Sequence, residues 1–249
     1  MAVRWRDAWI VGGSTGIGAE VARALAADDI PVVVSARSAD RLAALAGEND
    51  RIAALALDVV DRAACESTVA DMTRVPDLVI LNAAVYEPMY LDTFDAEKAA
   101  WMMRVNYEGI VNVLAPLARR LADERRGHIA IVASPSGYRG LPGAAGYGPT
   151  KAALINLAES LHNELAQAGV RLSIVNPGFV RTRLTDRNDF SMPQLLEPED
   201  AARRIIAGLK AGKWDVAFPW PFVGALKFLS ILPGRVYFAI TKKLIRSQD

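Results

Sequence analysis

An α/β fold built on a single parallel sheet is predicted by three observations. Short apolar runs alternate with helix-patterned segments along most of the chain. The runs are continuously apolar, as in strands covered on both faces. The first run leads straight into a glycine-rich turn. Parallel neighbours need crossovers, and right-handed crossovers leave a doubly wound, Rossmann-type sheet of about seven strands with helices on both faces.

The strand runs lie at residues 8–11, 31–35, 52–57, 78–81, 128–133 and 170–175, and 216–218 is the candidate seventh. Helix patterns fall between them at 19–27, 41–46, 63–72, 96–122, 147–168 and 198–209. The last of these opens with Glu197, Glu199 and Asp200, where the helix dipole favours negative charge. Residues 187–198 form the one stretch patterned as a long mobile loop. No linker or repeat interrupts the alternation. Residues 1–219 therefore read as one dinucleotide-binding domain that also carries the catalytic groups, and 220–249 as an extension.

Composition narrows the function classes. With 249 residues, 52% of them hydrophobic and 23% charged, the chain can bury a core, which excludes a disordered class. Its net charge of +1 leaves no electrostatic footprint for nucleic acid. Cys65 is the single cysteine, so an intrachain disulfide is excluded. His128 and His162 have no metal-ligand company, and no metal is expected. The start lacks the apolar region of a secretory signal, and no apolar run approaches the ~18–20 residues of a membrane span. A cytoplasmic protein is the expectation.

The glycine turn reads Gly12-Gly13-Ser14-Thr15-Gly16-Ile17-Gly18. Gly12 permits a tight exit from the strand, Gly16 lets backbone approach a pyrophosphate, and Gly18 lets the helix pack closely. The free N–H groups of the helix start then face the anion. Such a turn alone is unspecific; its position at the first strand–helix junction of an alternating chain gives it weight. At the end of the second strand an acidic residue would hold a ribose 2′-hydroxyl. Here the strand ends Ser35-Ala36-Arg37, and an arginine can pair with a 2′-phosphate. NADP(H) is therefore expected over NAD(H).

Tyr147 and Lys151 stand four apart in a helix pattern, which puts both on one face. A tyrosine near its ordinary pKa of ~10 exchanges protons poorly at neutral pH, and a nearby ammonium lowers that value. The pair is a candidate acid–base group. Ser134 ends the fifth strand, where α/β folds place ligands, and Asn106 lies in the long helix pattern before it.

These residues, with Asp58-Val59, Asn82-Ala83 and Asn176-Pro177-Gly178 followed by Thr182, occur in the order of a known family. Over roughly residues 7–218 the chain resembles the single-domain short-chain dehydrogenases/reductases. The resemblance implies that Ser134 polarises a substrate carbonyl and that Tyr147 gives or takes the proton. It implies that Lys151 lowers the Tyr147 pKa and binds the nicotinamide ribose, and that Asn106 holds a water linking Lys151 to solvent. Cofactor contacts are implied for Gly12, Ser14, Thr15, Gly16, Ile17, Gly18, Asp58, Val59, Asn82 and Ala83, and for Pro177, Gly178, Val180 and Thr182 beside the nicotinamide. Two departures stand out: Ala84 replaces a glycine, and Pro149-Thr150 replaces Ala-Ser before the lysine. Of the two serines Ser134 and Ser136, the family's spacing of thirteen to the tyrosine selects Ser134.

The reaction expected is hydride transfer between NADP(H) and a carbonyl or secondary alcohol. The alternative is a catalytically idle NADP(H)-binding sensor, which would not need the acid–base set. Leu184, Phe190, Met192, Leu195 and Leu196 suggest an apolar substrate pocket. The apolar content of the patterns at 96–122 and 147–168 suggests a homodimer or homotetramer. The extension from Trp220 carries a net charge of +4, leaving −3 for the rest. It reads as a lid, a subunit contact or a membrane-surface hairpin.

Overall fold

Strand β1 (Ala8–Val11) is buried along its whole length, with a parallel neighbour on each side and apolar cores on both faces. The computed structural model describes residues 3–188 and 191–244. Its sheet runs in the order β3-β2-β1-β4-β5-β6-β7, with β2 at Val32–Ala36, β3 at Ile52–Ala56 and β4 at Leu78–Leu81. Strands β5 (His128–Val132), β6 (Arg171–Pro177) and β7 (Asp215–Phe218) complete it, and every pairing is parallel.

Alternate side chains along each strand feed two cores. On one face Ala8, Ile10, Val34, Leu78 and Ile80 pack under α1 (Gly16–Ala27) and α7 (Pro198–Lys210). On the other, Trp9, Val11, Val79, Leu81 and Ile131 meet α3 (Arg62–Asp71), α5 (Gly109–Glu124) and α6 (Tyr147–Gln167). Helix α2 (Ala39–Ala46) is capped by Ser38 and runs back to β3.

The order reverses between β1 and β4. Two bonds close that point: the Asn82 N–H donates to the Val11 carbonyl (2.8 Å), and the Asn82 amide donates to the Gly12 carbonyl (2.6 Å). A crevice outside the carboxyl ends of the strands follows from this topology.

The strand and helix patterns hold with small shifts at their ends, and three expectations are corrected. The pattern at 96–122 is interrupted: α4 (Ala96–Met103) passes through a π-helical turn at Arg104–Glu108 before α5. A π turn re-aims a side chain, and here Asn106 accepts from the Val85 N–H (2.7 Å) and donates to the Val85 carbonyl (2.9 Å). The segment 82–95, on which Val85 lies, is a second long irregular connection that the hydrophobic pattern did not reveal. The loop at 187–198 is tied down at its end, where Leu196 bridges Val180 and the Leu196 N–H donates to Phe179 (3.0 Å). The extension forms two helices, α8 (Trp220–Ile231) and α9 (Gly234–Thr241), seated on the body through buried Val223 and Tyr237.

His128 starts β5 in full burial. Its Nε2 lies 2.9 Å from the Ser173 hydroxyl, and that hydroxyl donates to the Lys213 carbonyl (2.7 Å), so Nε2 carries the proton. Nδ1 has no partner among the described residues. Burial, reinforced by the charge of Arg171, holds the ring pKa down to about 4 against an ordinary 6.5. Above about pH 6.5 both folded and unfolded chains keep the ring neutral; below it the unfolded chain takes the proton first. Stability should therefore fall as pH drops from about 6.5 to about 4, by about 3 kcal/mol from this residue. Denaturant titrations across that window should show a smaller acid loss for His128→Asn than for the native chain. An equal loss would remove His128 from the account.

Candidate active site

The site begins where β1 ends. Gly12 leaves the strand at φ +83°, and a Cβ there would lie 2.4 Å from the Ala83 backbone. Gly16 opens α1 at φ +57°, with the Thr182 methyl 3.0 Å from where its Cβ would be. Only glycine fits both the conformation and the space. Gly18 is a packing position, since its Cβ would meet the Asn82 amide and the Gly12 carbonyl at 2.8 Å. Thr15 caps α1 without a side-chain hydrogen bond, and the first turn holds no acidic residue. The N–H groups there remain available to an anion.

From this turn a cavity of about 600 Å³ runs along the carboxyl ends of the strands. Gly12, Ser14, Thr15, Gly16, Ile17, Arg37, Val59, Asn82, Ala83, Ser134, Tyr147, Lys151, Pro177, Gly178, Val180 and Thr182 all line it. The sequence reading is thus brought together with three exceptions. Gly18 lies beneath the turn. Asp58 is exposed, does not line the cavity, and accepts from the Val60 N–H (3.1 Å). Asn106 is buried beside the cavity, and both ends of its amide are committed. Besides Val85, it donates to the Thr150 hydroxyl (3.2 Å), which donates to the Tyr147 carbonyl (2.8 Å). The side chain thereby ties the 82–86 segment to the first turn of α6.

Arg41 was not singled out from sequence, because it reads as an ordinary surface residue of α2. It lines the same end of the cavity as Arg37, and neither guanidinium makes an ion pair or hydrogen bond among the described residues.

Tyr147 opens α6, with exposed Pro149 accommodated in the first turn. Burial raises its phenol above the ordinary value; the electrostatic influence of Tyr86 adds to this, and a hydrogen bond from Ser134 opposes it. The Tyr86 ring stands edge-on to Tyr147, with centroids 5.0 Å apart at 81°. Lys151 Nζ lies 5.5 Å from the Tyr147 ring centroid and donates to the Val132 carbonyl (3.0 Å). It is almost wholly inaccessible, and burial pushes its ammonium down to about 7. The two serines act in series: the Ser136 hydroxyl donates to Ser134 Oγ (3.0 Å), and Ser134 faces Tyr147. Gly137 lets this turn press against α6, since a Cβ would meet the Lys151 backbone at 2.6 Å.

The far end of the cavity is lined by Tyr86, Trp101, Leu141, Leu184, Phe222 and Leu226, with Arg183 and Arg187 beside them. The apolar residues expected from the loop mostly go elsewhere. Leu184 lines the cavity, whereas Leu196 packs on the core and Met192 accepts from the Asn188 amide (3.2 Å). Leu195 does not line it, and Phe190 lies outside the described residues. Aromatic and apolar surface from the C-terminal helix takes their place. That helix is held against the site by Arg139, which stacks on the Tyr237 ring at 3.9 Å and donates to the Ser230 (3.1 Å) and Leu232 (2.6 Å) carbonyls. Tyr237 itself donates to the Gly140 carbonyl.

The short chain dehydrogenase family profile matches residues 6–191. An oxidoreductase of Myxococcus xanthus is 32% identical over 251 aligned positions, covering 96% of this chain and 98% of its own. The 3-oxoacyl-[acyl-carrier-protein] reductase MabA of Mycobacterium avium is 29% identical, over 72% of this chain and 69% of its own. Among solved structures, a short chain dehydrogenase from Burkholderia cenocepacia in complex with NADP superposes with a TM-score of 0.84 at 24% identity, covering 99% of this chain and 100% of that one.

Proposed function

The chain belongs to the short-chain dehydrogenase/reductase family, and from that premise we propose that it is an NADP(H)-dependent oxidoreductase interconverting an apolar carbonyl compound and its secondary alcohol. The observation that carries this reading is the meeting of Ser134, Tyr147 and Lys151 in one cavity that also reaches the glycine turn.

The residues present fit a nicotinamide dinucleotide. The uncapped start of α1 and the glycine backbone suit a pyrophosphate. Val59, Asn82 and Ala83 line the cleft between the two ends. Pro177, Gly178, Val180 and Thr182 suit the nicotinamide side. When bound, the cofactor supplies hydride in reduction and accepts it in oxidation.

The chain's own residues handle the proton. In reduction the Ser134 and Tyr147 hydroxyls donate to the substrate carbonyl oxygen, and Tyr147 gives up its proton as charge develops there. Ser136 donates to Ser134, so the Ser134 hydroxyl keeps its own hydrogen as a donor, which would turn from Tyr147 to the substrate. The Lys151 ammonium, with Nζ 5.5 Å from the Tyr147 ring centroid, stabilises the resulting phenolate. In oxidation the same phenolate takes the alcohol proton. Asn106 is a positioning residue, acting through Thr150 and Val85. The apolar far end, walled by Trp101, Leu184, Phe222 and Leu226, favours a hydrophobic substrate. The extension is then part of the substrate wall, in keeping with a lid. The outer faces of α4, α5 and α6 serve as the subunit contact of a homo-oligomer.

Preference for NADP(H) rests on Arg37 and Arg41, two cations that line the cavity and are unpaired among the described residues. A 2′-phosphate there would gain charge-assisted bonds. Arg37→Asp should lower the ratio of kcat/KM for NADPH over NADH by at least about tenfold, with Arg37→Asp/Arg41→Asp lowering it further. A ratio that does not move in either variant rejects both residues as the reader.

Tyr147→Phe removes the exchangeable proton and leaves a ring of nearly the same shape. Turnover of a ketone panel should fall by roughly 10²–10⁴-fold while cofactor binding, followed by fluorescence, stays within about threefold. Near-native kcat with any substrate would refute the catalytic assignment. Binding without turnover in the native chain, against every carbonyl and alcohol tried, would favour the idle sensor.

A further inference from the structure

We propose that the outward face of α8 and α9 docks on an anionic lipid bilayer, lying in its surface without crossing it. Helix α8 has two faces with different duties. Val223 is buried against the body, and Phe222 and Leu226 wall the cavity. Trp220, Phe228 and Ile231 fall within an arc of about 80° on the other side, and they are 67%, 63% and 78% exposed. Helix α9 turns Tyr237 and Thr241 inward and leaves Val236, Phe238 and Ile240 bare. Six large apolar side chains bared on two consecutive helices are unusual for a surface that meets only water.

Charge indicates what covers it. Residues 216–244 contain no Asp or Glu. Lys227 is paired with Asp215, whereas Arg235, Lys242 and Lys243 are exposed and make no ion pair among the described residues. A second copy docked with its α8–α9 against this α8–α9 would bring cations against cations, with no carboxylate within 216–244 to pair them. A bilayer bearing anionic headgroups accepts both parts of the surface, the aromatic side chains at the interface and the cations at the headgroups. The helices are short, and no helix among the described residues is long and apolar enough to cross a membrane. They are also held firmly: Arg139 binds the α8–α9 turn through the Ser230 and Leu232 carbonyls. Docking would set the cavity, whose wall is the same helix, at the surface where apolar carbonyl compounds partition.

Cosedimentation of the full chain with two kinds of vesicle tests this: phosphatidylcholine alone, and phosphatidylcholine with about one quarter phosphatidylglycerol. Binding should favour the anionic vesicles by more than roughly tenfold and weaken as salt is raised. Phe228→Asp/Phe238→Asp places charge at two exposed positions and should lose binding to both kinds. Lys242→Glu/Lys243→Glu should lose only the anionic preference. Circular dichroism and light scattering on each variant report folding and assembly independently of any activity. The proposal is overturned if the native chain ignores anionic vesicles, or if either double variant binds them as the native chain does. It is equally overturned if Phe228→Asp/Phe238→Asp splits an oligomer while the native chain shows no vesicle binding, since a second copy would then be the occupant.

Discussion

An amine held in an apolar cleft is the constraint on which the site depends. Lys151 is buried to 1% exposure and, among the described residues, donates one hydrogen bond, to the carbonyl that ends β5. Burial drives it toward the neutral form at about 7 and drives Tyr147 the opposite way. In the proposed reaction the Lys151 ammonium would favour the Tyr147 phenolate as it forms. The proposed reaction calls for a tyrosine that is neutral at rest but can be made to lose its proton locally. The surrounding structure holds both groups in place. Gly137 allows the serine turn to press on α6, Thr150 and Asn106 hold the helix start, and Tyr86 closes over the phenol.

The sheet brings this chemistry to the dinucleotide end of the cleft. Because the chain leaving β1 returns to β2 on one side and the chain leaving β4 returns to β5 on the other, the carboxyl ends of these parallel strands leave a crevice that nothing in the sheet fills. Asn82 pins its two lips by bonding to Gly12, and the glycine turn takes the backbone close to whatever lies there. Ser134 and Lys151 stand at the neighbouring strand end, so the glycine turn and the Ser134, Tyr147 and Lys151 side chains open onto one cavity. The C-terminal helices finish it. The chain Asn176–Asp215–Lys227 links β6, β7 and α8, and Phe222 and Leu226 close the wall.

Much of this was legible before any coordinates, for identifiable reasons. Continuous apolar strands mark a sheet covered on both faces, and β1, β4 and β5 are buried throughout. Glycines at Gly12 and Gly16 mark positive φ, which few other residues tolerate. The paired spacing of Tyr147 and Lys151 survives because one helix carries both. What escaped was set by tertiary contact. The π turn at Asn106 leaves the helical hydrophobic pattern intact, so it shows only in the backbone bond from Gly109 N–H to the Arg104 carbonyl. Arg41 resembles a solvated helix residue until α2 places it beside Arg37. Leu196 and Met192 look like pocket residues in sequence, yet a bridge to Val180 and a bond from Asn188 turn them away. Phe222 and Leu226 gave no signal as cavity residues because their role depends on how α8 docks.

The pH dependence of alcohol oxidation, compared between the native chain and Lys151→Met, tests the coupling of Lys151 to Tyr147 most directly. Without the ammonium, Tyr147 should hold its proton to higher pH. The rising limb of kcat/KM should therefore begin at higher pH in the variant, with cofactor affinity measured separately to exclude lost binding as the cause. A rising limb at the same pH in both proteins would contradict the account, because Lys151 would then have no part in setting the proton affinity of Tyr147.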